Sequence, residues 1–98
     1  MAKDPKSLQF HEAKKTTRNN LEEVLSTLDE CVESGMPDAG ARFHNLLLPL
    51  IDEAHLAQNW GELEEVIVHA RTLEMDVAAW LSARGRTTLS LPWPRKPL

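Results

Sequence analysis

Apolar residues recur at helical spacing in three stretches of this chain, separated by glycine and proline. Leu21, Val24, Leu25, Leu28, Cys31 and Val32 share one face of the first helix. Asn20 precedes them as an N-cap with Glu23 three residues on, and Gly35 followed by Pro37 marks the end. These signals predict a helix over 18–34. Residues 1–17 form a basic segment with conflicting signals. Asp4-Pro5 is a cap with a first-turn proline, and Phe10 and Ala13 continue the stripe. Thr16-Thr17-Arg18-Asn19-Asn20 is a poor helix former, so the segment stays unassigned.

The second stretch has Phe43, Leu47, Leu50, Ala54 and Ala57 as its seam, predicting a helix over 38–58. Leu46, Leu48 and Ile51 make residues 46–51 apolar almost all round, the pattern of a helix covered on more than one side. Pro49 lacks a backbone donor and predicts a kink or a split there. The third helix, over 60–84, has the clearest pattern. Leu63, Val66, Ile67, Ala70, Leu73, Val77, Trp80 and Leu81 form one seam. Asn59 caps it, Glu62, Glu64 and Glu65 open it, Arg84 closes it, and Gly85 ends it. Residues 86–98 contain three prolines and read as an extended, polyproline-like tail. Short connections make neighbouring helices antiparallel. The expected fold is all-α: an up-down-up three-helix bundle spanning 18–85, followed by the proline-rich C-terminal tail.

Length narrows this little. Ninety-eight residues suit one domain with a modest core. The longest apolar run, Leu46 to Ile51, has six residues and includes Pro49. That is far below the roughly 18 to 20 needed to cross a bilayer, so no membrane partner is expected. The N-terminus lacks the apolar core of a signal peptide, which points to a cytoplasmic location. Lone Cys31 has no disulfide partner or zinc pattern and reads as a small core residue.

Charge changes the picture more. Residues 21–83 hold thirteen acidic side chains against Arg42 and Arg71, while both ends of the chain are basic. Phosphate would meet a strongly negative body, so nucleic-acid binding is disfavoured. Glu22, Asp29 and Glu33 stripe one side of the first helix and could steer a basic protein surface toward it.

Candidate chemistry is thin. Asp52-Glu53-Ala54-His55 spells a helicase box but lacks the phosphate-binding glycine-rich loop that such a box serves. Asp52 with His55, and Glu65 with His69, are carboxylate–histidine pairs at helical spacing, the theme of metal sites in bundles. They are the metal candidates, although Glu65 and His69 lie opposite the apolar seam, and a di-iron site needs four helices. His69 also resembles the exposed mid-helix histidine of histidine phosphotransfer domains. Leu73-Glu74 lies in the stretch where that family's pattern wants Lys-Gly, leaving side chains where a receiver domain docks. Paired acids such as Glu22-Glu23 point different ways on a helix, and no serine has a histidine at contact spacing.

The expectation is therefore a non-enzymatic protein without a cofactor that binds and masks another protein, with a homodimer as a further possibility. Leu48, Ile51, Val68 and Met75 are the expected apolar anchors, and Glu22, Asp29 and Glu33 the steering charges. Trp93, between two prolines and beside Arg95 and Lys96, is costly to leave in water. It either packs on its own acidic bundle or docks in a partner's groove, where Pro94-Arg95-Lys96-Pro97 is a minimal P-x-x-P.

Overall fold

The computed structural model describes residues 5–86 and 89–96, with side chains from Gln9 onward. It contains three helices: α1 (Pro5–Glu33), α2 (Asp38–Leu56) and α3 (Trp60–Ala83). The described residues form a rod of 52 × 20 × 20 Å. Its length follows from α1, whose 29 residues span about 44 Å at 1.5 Å per residue. Asp4, one of the suggested caps, and Pro97, the second proline of the P-x-x-P, lie outside the described residues. Among the described residues no helix is long and apolar enough to cross a membrane.

The predicted seams of α2 and α3 are all buried, as are Leu21, Val24, Leu28 and Cys31 of α1. Phe43 and Trp80 meet edge to face at 6.0 Å between ring centroids, joining α2 to α3 inside the larger core cluster. A smaller cluster of Ala13, Ala57, Leu63 and Ile67 lies at the other end, where Phe10 meets Trp60 at 5.7 Å. The helix ends obey their local signals. Gly35 has φ +94°, and Met36 N–H bonds back to Cys31 O, closing α1. Asn59 accepts from Glu62 N–H at 3.0 Å, and the Glu62 carboxylate reaches back to Gln58 N–H. Arg84 covers the Trp80 ring at 3.9 Å and donates to the Trp80 carbonyl at the end of α3.

Two expectations need correction. The first helix begins at Pro5 rather than near 18, and Asn20 is not a cap but a buried mid-helix residue. Its poor helix-forming stretch finds partners both within the helix and in the tail. Thr17 is fully buried and returns its hydroxyl to Ala13 O at 2.7 Å, while Asn20 bonds to the tail. Tertiary partners thus outweigh an unfavourable propensity of a few tenths of a kcal/mol per residue. Second, Pro49 does not split α2, which runs unbroken from Asp38 to Leu56. Pro49 and Asn45 are both exposed, so water can serve the carbonyl that proline leaves unpaired.

Candidate functional site

Each pair of helices leaves a groove, and only some grooves are filled. The one between α1 and α3 is filled by the tail. Leu89, Leu91 and Trp93 are half-buried against the core, and Trp93 touches both clusters. Two hydrogen bonds fix the path. Asn20 Nδ2 donates to Pro92 O at 2.7 Å, and Leu91 N–H donates to Glu74 Oε2 at 3.0 Å. Pro94 and Arg95 continue to a hollow that Glu12 and Trp60 also line. Trp93 is therefore occupied within the fold. The ring N–H groups of Trp60 and Trp93 are buried without an acceptor, a cost that the packing of both rings offsets.

The outer edge of the α2–α3 interface is different. Two hollows follow one another along it. Glu53, Leu56, Glu62, Glu65 and His69 line the first; Leu46, Leu50, His69 and Asp76 line the second. His69 is exposed and lines both, so the two hollows adjoin and together make up the groove of this edge. Leu46 is 57 % exposed and Leu56 68 %, each beside a fully buried neighbour, Leu47 or Ala57. The carboxylates Glu53, Glu62, Glu65 and Asp76 border this apolar line, and neither hollow has a lysine or arginine.

The expected anchors fall elsewhere. Val68 and Met75 are exposed, one heptad apart on α3, and line neither hollow. Leu48 is about half exposed, whereas Ile51 packs partly against the core. The four do not line one groove. Glu22 and Glu33 are exposed, and Asp29 Oδ1 lies 3.0 Å from His44 Nε2 on α2. Of the metal candidates, Glu65 and His69 share a wall of the groove, while Asp52 and His55 are exposed and line neither hollow. Among the described residues no three His, Cys, Asp or Glu side chains are grouped to hold a metal ion.

Neither Leu46 nor Leu56 is among the anchors expected from the sequence. Leu46 is lost within an all-apolar run, and Leu56 stands alone one position off the seam. Their shared signal, an apolar residue directly before a seam residue at the same flank of the helix, becomes visible only when α3 is placed beside α2. Compared with known proteins, the chain matches no family model, and no curated protein or solved structure matches it significantly.

Proposed function

We propose that this chain is a non-enzymatic interaction protein that binds and masks a surface of another protein, as an anti-activator, secretion chaperone, antitoxin or small adaptor does. One observation carries this. Leu46, Leu48, Leu56, Val68 and Met75 remain 48–70 % exposed on α2 and α3, outside a core that is already closed. Each exposed leucine forgoes roughly 1 to 2 kcal/mol of burial that a partner would restore. An acidic surround keeps such a face soluble and biases it toward basic partners.

The scaffold is an up-down-up bundle in the cytoplasm. Asp29 of α1 faces His44 of α2, and Lys14 of α1 reaches His55 O of α2, a pairing that runs in opposite directions along the two helices. The tail belongs to this scaffold and is the strap that closes its third groove.

Native mass spectrometry of the untagged protein from its own cells tests the proposal. One or two chains plus a second protein are the expected mass, and aspartate placed at all five exposed positions, Leu46, Leu48, Leu56, Val68 and Met75, removes the second protein. Bare chains alone, or bare chains carrying a metal or phosphate mass, overturn it.

A further inference from the structure

We infer that the α2–α3 groove is the docking site and that its occupant is a basic amphipathic helix of another protein. The inference rests on the binding function proposed above and specifies both surface and partner. Three observations select this occupant. The groove is lined from both α2 and α3, so a helix placed along it completes a four-helix arrangement by ordinary ridge-and-groove packing. The described residues contain no strand, so no sheet edge is offered to an extended peptide. Leu46 and Leu56 stand ten positions apart on α2, about 15 Å along its axis. A docked helix meets both with apolar residues repeated over about three turns.

Charge then fixes the partner's chemistry. Glu53, Glu62, Glu65 and Asp76 flank the apolar line with no lysine or arginine opposing them in either hollow. A partner helix with Lys or Arg beside its apolar stripe pairs with these four carboxylates. A second copy of this chain, docked through the same groove, would set carboxylate against carboxylate.

The test uses the full chain with a labelled Leu/Lys amphipathic helical peptide of about five turns, and a Leu/Glu peptide of the same pattern. Binding is read by anisotropy and by backbone amide shifts. The Leu/Lys peptide binds, the Leu/Glu peptide does not, and shifts concentrate at Leu46, Leu50, Ala57, Val66 and Leu73. Leu46→Asp with Leu56→Asp weakens binding by about tenfold or more, even though it adds negative charge. Val68→Asp with Met75→Asp adds the same charge on the outer face of α3 and leaves affinity unchanged or tighter. All four positions are exposed, and thermal melts confirm that both variants stay folded.

Equal binding of wild type and the Leu46/Leu56 variant would mean bulk charge alone attracts the peptide and would overturn the inference. So would absence of binding, or equal binding of the Leu/Glu peptide. If the Val68/Met75 variant instead loses binding, the groove is wrong while the interaction function stands. Absence of any second protein in the native mass spectrum removes that function itself.

Discussion

Asn20 and Pro92 are 72 positions apart, and the Asn20 amide donates to the Pro92 carbonyl at 2.7 Å. The contact joins the middle of α1 to the tail and explains two features together. It satisfies a polar side chain that is only 6 % exposed, and it holds the tail in the groove between α1 and α3.

Asn20→Ala therefore loosens the tail as well as lowering stability. The expected loss is about 1 kcal/mol, the ordinary net worth of a partly buried hydrogen bond. Urea denaturation measures it. Limited trypsin digestion followed by mass spectrometry shows faster release of the tail at Arg86, which is exposed. Unchanged digestion would mean that the bond does not hold the tail.

Trp93→Ala removes the side chain that spans both core clusters. A fully buried tryptophan costs about 3 to 5 kcal/mol on truncation, and Trp93 is half-buried, so about 2 kcal/mol is expected. The denaturant midpoint falls while the helical circular dichroism of the folded protein is kept. A midpoint equal to wild type would show that the tail is dispensable to the fold.

Leu47 and Leu48 are neighbours with opposite outcomes. Leu47 is fully buried and Leu48 is 48 % exposed. Leu47→Ala costs about 3 kcal/mol, whereas Leu48→Ala stays within about 0.5 kcal/mol. Thermal melts of the two variants separate core from surface on α2, and equal losses would place both side chains in the core.

Gly35→Ala forces a side chain into the left-handed region at φ +94°. Nothing lies within 4 Å of the added carbon, so the cost is backbone strain alone, about 1 kcal/mol. Differential scanning calorimetry reads it as a lower melting temperature with an unchanged unfolding heat capacity.

Much of the fold is written locally. The Asn59 cap, the Gly35 and Gly85 stops, and the seams of α2 and α3 act over four residues or fewer, so they are legible along the chain. Lone Cys31 is likewise buried as its type and position imply. The candidate groove was legible only in part. Periodicity identifies the face of α2 that carries Leu47 and Leu50, but not which flank α3 leaves open beside it. Leu46 and Leu56 thus emerge from the packing, while Ile51, from the same apolar run, is largely claimed by the core.

Sequence alone determined three amphipathic helices, their stops and the acidic character of the body, because hydrogen bonds within a helix and formal charge are local properties. Tertiary structure decided that α1 runs through Thr16–Asn20, where Trp93 packs, and which apolar residues stay outside. Those outcomes rest on partners far away in sequence: Pro92 for Asn20, Glu74 for Leu91, and α3 beside Leu46 and Leu56. A buried polar group takes whatever partner the packed chain brings within 3 Å, and periodicity carries no record of that partner.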